Sequence, residues 1–256
     1  MDSKLELLKA FYAGLPKDRA KVETLDHGFE FLEKMLTDGM TLEYGERVLL
    51  RKVYKYKFSN VPPLRMEGFL SSHVQKACNL CLYFGTMTNS LFAFNLDNTH
   101  KVDNSVISPE MALAVSALRN ILMDAGCTPL VVASGKGCHL WCRLAAAVSN
   151  DQLYNFMLRA MAKTLYALHK KGMDYNRINP RFYPDPKVQD KISLRLFGSV
   201  HPNTGVFSRV LTQDGLLDEE ASWSAFEDHL RLHTISEETF SNACEAMAPA
   251  SGYGIF

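Results

Sequence analysis

The chain has 256 residues, enough to bury a large core as one domain or as a main domain with a smaller lobe. Lys and Arg together number 28, as do Asp and Glu; zero net charge excludes a protein that coats nucleic acid with a general basic surface, while leaving room for a local basic cleft. At 47% hydrophobic and 22% charged residues, the composition is that of an ordinary globular protein. No apolar run is long enough to span a bilayer, and the start, MDSKLELLKA, lacks the sections of a signal peptide. The expected compartment is the cytoplasm, with no membrane partner, where six cysteines read as free thiols or metal ligands rather than a disulfide framework.

In chain order, Leu5, Leu8, Phe11 and Tyr12 have helical spacing, and so do Phe29, Phe31, Leu32 and Met35, with Gly39 as the stop of that second helix. The run RVLLRKVYKYKF from Arg47 mixes basic, aromatic and β-branched residues. On a strand it puts Lys52, Tyr54 and Tyr56 on one face and Val53, Lys55 and Lys57 on the other. That pattern suits an edge strand guarded by lysines, or a strip that touches a template backbone and stacks a base. His73, Cys78 and Cys81 resemble half a Zn²⁺ site, a CxxC pair with a third ligand. No fourth ligand is evident, so buried thiols are the preferred reading.

From residue 90 the pattern sharpens. SLFAFNLDN alternates as a half-buried strand, with Phe92, Phe94 and Leu96 facing one way and Ala93, Asn95 and Asp97 the other. Ser108 and Pro109 open a helix that runs to about Ala125, with Gly126 at its end. PLVVAS is a second strand. After the turn SGKG, CHLWCRL is a third, with Cys138, Leu140 and Cys142 opposite in facing to His139, Trp141 and Arg143. Ser149 with Gln152 signals the start of a long helix ending at Gly172. After a proline-rich loop, ISLRLF is read as the fourth strand, followed by GSVHPNTG and VFSRVLT. Helical spacing returns from Asp218 to Leu232 and from Ser236 to Met247.

The order strand, helix, strand, strand, helix, strand predicts an α+β protein with an RRM-like, ferredoxin-like split βαβ core. Residues 1–89 form an N-terminal lobe, 90–215 the core and 216–256 terminal helices packed on it. With the strands ordered fourth, first, third, second, Asp97, His139 and Arg195 converge on the open face, and the Phe92 and Cys138 faces lie beneath the helices. Trp141, on the open face, is read as packing under the N-terminal lobe.

The groups on that face suit a phosphate. In the turn SGKGCH, Gly135 and Gly137 allow amides to approach an anion, Lys136 adds a charge and His139 a directed donor. Two oxygen-bearing residues at i and i+2, Asn95 and Asp97, can hold Mg²⁺ or Mn²⁺ against nucleotide phosphates. The competing readings are structural: an Asx turn for Asn95 and Asp97, a hydrogen-bonded core histidine for His139, a paired charge for Arg195 and a turn anchor for His201.

Three motifs in this order resemble the archaeo-eukaryotic primases and primase-polymerases, in particular the small catalytic subunit. FAFNLDNTH is similar to a strand with two metal-binding aspartates one residue apart, ASGKGCHLW to a serine-glycine turn leading to a nucleotide-binding histidine, and DPKVQDKISLRLFGSVHPNTG to a third aspartate followed by a basic strand and a Ser-x-His-Pro-x-Thr-Gly loop. The resemblance covers about residues 90–211. It implies template-directed nucleotidyl transfer from nucleoside triphosphates, with Mg²⁺ or Mn²⁺ on Asp97 and Asp185 and, in the place of the first aspartate, on Asn95. It further implies nucleotide contacts from Ser134, Lys136, Gly137, His139, Arg195 and His201. Implied partners are a single-stranded DNA template and a helicase or a primase accessory domain or subunit.

Asn95 departs from the family pattern, keeping an oxygen but losing a charge, and so raises the alternative of a weakened or inactive nucleotide- or nucleic-acid-binding relative. Asp185 is chosen as the third acid over Asp190. An RNA-binding module is disfavoured by the lack of an aromatic-rich octamer on the third strand, and a rolling-circle nuclease by the single His139.

Overall fold

The computed structural model describes residues 3–15, 19–25, 51–57, 63–98, 107–188, 192–202 and 204–248. The helix expected around Phe29 to Gly39 lies outside them. The elements are α1 (Ser3–Phe11), β1 (Arg19–Leu25), β2 (Arg51–Lys57), α2 (Pro63–Val74), β3 (Asn79–Tyr83), β4 (Thr88–Asn98), α3 (Pro109–Asp124), β5 (Leu130–Ala133), β6 (Gly137–Ser149) and α4 (Asn150–Lys170). They continue with β7 (Ile178–Tyr183), β8 (Ser193–Arg195), β9 (Arg209–Val210), α5 (Glu219–Leu232), β10 (Thr234–Ile235) and α6 (Glu237–Met247).

The helix starts are set by side-chain caps that satisfy the first free amides. Ser108 accepts from Met111 N, Ser149 from Gln152 N, Asp218 from Ala221 N and Ser236 from Thr239 N. Pro109, which has no N–H to leave unpaired, occupies the first turn of α3. Each cap is worth about 1 kcal/mol, and all four fall where the sequence places a helix start.

Strands form two sheets. One runs β7-β4-β6-β5-β9, with β10 pairing β6 alongside; the other runs β2-β1-β3-β8. The adjacent run β4-β6-β5 reproduces the expected order of the first, third and second core strands. The fourth position does not. It belongs to β7, the segment INPRFY expected to be a loop, while Ser193–Arg195 pairs with β3 in the other sheet. β7 can carry Pro180 because it is an edge strand, where a missing N–H breaks no ladder. β2 is likewise at an edge of its sheet, and its Val53 is exposed.

Two apolar clusters follow from strand alternation. Phe92, Phe94, Leu96, Cys138, Leu140 and Cys142 pack with Met111, Leu118, Phe156 and Met161 of α3 and α4, which is the face the alternation assigns to the helices. On the other side, Ala93, Leu130, Val132, Trp141 and Tyr183 pack in one cluster with Ala20, Leu80, Leu82 and Leu194 of the second sheet and with Phe11 and Phe226. The face expected to be open is thus largely covered, and β1, β2 and β3 share one sheet with β8. Beyond Ala93 and Trp141 this layer turns polar, at buried Asn95 and His139 and half-buried Asp97.

Candidate functional site

Register places the key side chains in rows. In an antiparallel ladder, residues directly opposite share a face. Asn95 of β4 stands opposite His139 of β6 and Arg181 of β7, and His139 stands opposite Val132 of β5. One row further, Asp97 stands opposite Gly137 and Asn179; one row back, Ala93 stands between Trp141 and Tyr183. Apolar side chains therefore close one end of the face, and polar ones begin at Asn95.

Asn95 is 7% exposed and its Nδ2 donates to Asp97 Oδ2 at 3.2 Å. Its Oδ1 is buried with no hydrogen-bond partner, a state that costs about 1–3 kcal/mol. His139 is 5% exposed. Burial, and then the nearby Arg195 guanidinium, push its pKa down to about 3, so the imidazole is neutral at physiological pH.

Arg195 arrives from the other sheet. It sits on β8 opposite Cys81 of β3, and Cys81 sits opposite Lys21 of β1. Alternation puts Lys21, Glu23, Asn79, Cys81 and Arg195 on one face of that sheet, away from the Ala20, Leu80, Leu82 and Leu194 face that builds the core. Arg195 Nη1 lies 3.6 Å from Glu23 Oε2, and Lys21 Nζ lies 2.9 Å from Glu23 Oε1. Glu23 is only 1% exposed, and a buried carboxylate persists there because two cations and the Asn79 amide face it. Arg195, from the second sheet rather than from a strand beside β4, lies near enough to His139 to lower its pKa.

Two loops meet beside this group. Ser134 N donates to Gly137 O at 2.8 Å, closing the SGKG turn, and Asn98 Nδ2 donates to the exposed Lys136 carbonyl at 3.1 Å. In the HPNTG loop, Gly205 N and Thr204 N donate to His201 O. Asn79 fixes the root of this loop, donating to Val200 O at 2.6 Å and accepting from Val200 N at 3.0 Å. A Cβ on Gly135 would come within 2.6 Å of His201 Cβ and 2.9 Å of Thr204 Oγ1, and one on Gly137 would overlap Leu96 O. These glycines are required by the packing of loop on loop and loop on β4, a different reason from the approach of an anion. His201 and Ser134 are both buried.

Asp185 lies two residues past Tyr183, the last residue of β7, and its Oδ1 accepts from Lys187 N at 2.9 Å. Asp190 lies outside the described residues. The zinc reading is corrected. His73 Nδ1 accepts from Leu80 N at 3.2 Å and its Nε2 donates to Phe197 O at 2.8 Å, so neither ring nitrogen is available. Cys78 lies in the core with Leu80 and Leu82, whereas Cys81 is on the opposite face of the strand.

Sequence reasoning missed Glu23, Asn79 and Arg181. None lies on a strand expected from the sequence: β1 and β3 fall outside the core motifs, and Pro180 disguises β7.

Hard cations take oxygen ligands. The unpartnered Asn95 Oδ1 beside the Asp97 carboxylate fits one divalent ion whose remaining positions are filled by water and phosphate. Among the described residues there is no group of three His, Cys, Asp or Glu side chains able to hold a metal. No described helix is long and apolar enough to cross a membrane.

No protein-family model matches the chain, and no curated protein does. Among solved structures it is similar to the polymerase domain of Mycobacterium tuberculosis ligase D in complex with DNA, at a TM-score of 0.49 and 14% identity over 96% of this chain and 86% of that one. It is also similar to the AEP domain of the primase-polymerase of cyanophage S-2L, at a TM-score of 0.35 and 13% identity over 87% of this chain and 93% of that one.

Proposed function

We propose that the cleft binds a nucleoside triphosphate and transfers its nucleotidyl group to a primer on a single-stranded template, the reaction implied by the three motifs. One observation supports this above the others: Asn95 stands opposite His139 with Asp97 one row on, and Arg195 of the other sheet is near enough to His139 to lower its pKa, although these residues span a hundred positions.

Each group has a duty that follows from its chemistry. Neutral His139 donates a hydrogen bond to a phosphate oxygen without demanding a proton from solvent. Arg195 offers its planar fork to the same phosphates, and Glu23 holds it in place. Trp141 and Tyr183 close the apolar end and keep water from it. Ser134 and Lys136 border the tail, with His201 behind Gly135. Asp97 and the Asn95 oxygen would hold one Mg²⁺ or Mn²⁺, which when bound neutralises developing phosphate charge. Template and accessory subunits are the partners this reaction needs.

A second reading, nucleotide binding without transfer, is favoured by Asn95, which removes one acid from the first motif. Labelled-nucleotide incorporation on single-stranded DNA with Mn²⁺, with nucleotide binding measured in parallel, separates the two. Incorporation by the unaltered chain supports transfer. Binding with incorporation only after Asn95→Asp supports the second reading, and absence of binding defeats both.

A further inference from the structure

Resting on the nucleotide-binding reading, we infer that Arg181 is a further phosphate-binding residue of the cleft, and that it lets the site hold a triphosphate without a divalent ion. Arg181 is directly opposite Asn95 on the adjoining edge strand. Directly opposed side chains start roughly 5 Å apart at Cβ, well within the reach of an arginine, so the exposed Arg181 guanidinium can extend over Asn95. An aspartate at position 95 would consume that charge in a cross-strand ion pair. Asparagine cannot, and no ion pair of Arg181 with a described carboxylate is formed. Tyr183, two residues along on β7, shares that face.

The charge inventory of the cleft points the same way. Among the described residues facing it, the carboxylates are Asp97 and Glu23, and Glu23 is already met by Lys21 and Arg195. Against these stand Lys21, Arg181 and Arg195, with Lys136 exposed at the rim. Cations outnumber acids, so the cleft attracts an anion before any metal arrives. Where a metal-dependent site would present acids on neighbouring strands, this one presents an amide and a guanidinium. The phosphates are then gripped from three strands: Arg181 on β7, His139 on β6 and Arg195 on β8.

The experiment is equilibrium binding of ATP to the full chain by calorimetry, once in EDTA and once in Mg²⁺, for the unaltered protein, Arg181→Gln, Arg181→Lys and Asn95→Asp. Thermal melts confirm that each is folded. Expected are affinities within about threefold of each other in EDTA and Mg²⁺ for the unaltered chain. Arg181→Gln should lose about tenfold or more in EDTA, Arg181→Lys should retain part of it, and Asn95→Asp should become dependent on Mg²⁺. Binding that needs Mg²⁺ in the unaltered chain, or that Arg181→Gln leaves unchanged in EDTA, overturns the inference while leaving nucleotide binding standing. No binding in either buffer overturns both.

Discussion

Gly135 lies against His201 so closely that the two loops carrying them, some sixty residues apart in sequence, act as one wall of the cleft. The backbone at Gly135 also has φ of +86°, a conformation that side chains other than hydrogen strain. Gly135→Ala therefore meets two penalties, the left-handed backbone and overlap with the His201 and Thr204 side chains. Urea denaturation should show a loss of about 1–3 kcal/mol, and nucleotide affinity should fall with it because His201 is displaced. Unchanged stability would mean that the loops do not touch in solution.

Glu23 and Arg195 give a second test. Glu23→Gln keeps the shape but leaves Lys21 and Arg195 without their carboxylate. Breaking a fully buried pair costs about 3–5 kcal/mol; Lys21 and Arg195 keep side-chain exposures of 28% and 22%, so about 2 kcal/mol is expected after water takes up part of the charge. The double variant with Arg195→Gln should cost less than the sum of the single changes, a coupling readable by a double-mutant cycle. Additive losses would show that the two side chains are not partners.

The caps at Ser108, Ser149, Asp218 and Ser236 and the facing of Phe92, Phe94, Leu96, Cys138, Leu140 and Cys142 were legible because each is set by a local pattern of period 2 or 3.6. What the pattern does not carry is the identity of a strand's partner. ISLRLF looks like a strand and its Ser193–Arg195 portion is one, yet it pairs with Cys81 and its neighbours rather than with β4, a choice made by tertiary contacts. INPRFY was lost because a proline in a short strand removes both the alternation and the expected donor. Arg195 still lies near enough to His139 to lower its pKa, although it comes from the second sheet. His73 misled for a related reason: proximity to CxxC in sequence says nothing about the backbone groups that occupy its nitrogens.

Trp141 joins the two halves of the core. It is fully buried, parallel to Phe84 with ring centres 6.2 Å apart, and edge-on to Tyr12 at 5.4 Å. Its indole Nε1 is buried without an acceptor. Trp141→Ala should cost about 3–5 kcal/mol through the cavity it leaves. Trp141→Phe retains most of the ring contact and removes the unpaired donor, so its cost in urea should be less than half that of the alanine variant. Equal losses would place the stabilisation in a hydrogen bond rather than in packing.

Acid should destabilise the protein before most carboxylates titrate, because His73, His139 and His229, among the described residues, are buried with lowered pKa values. Burial lowers the pKa of His73, takes that of His139 to about 3 with help from Arg195, and takes that of His229 to about 3 with help from His233. The folded values lie below the ordinary 6.5, so in the window beneath pH 6.5 the unfolded chain binds protons that the folded chain refuses, and stability falls as pH falls. For each such histidine the slope approaches about 1.4 kcal/mol per pH unit well below pH 6.5. His229 isolates the effect: its ring packs beside Phe11 and its Nε2 lacks a partner, so His229→Phe removes one titrating group and one orphaned polar atom while keeping an aromatic ring in place. Urea midpoints measured between pH 7 and pH 5 should decline less steeply in this variant, by about one histidine's share. An identical decline would show that His229 is protonated in the folded state or reaches water.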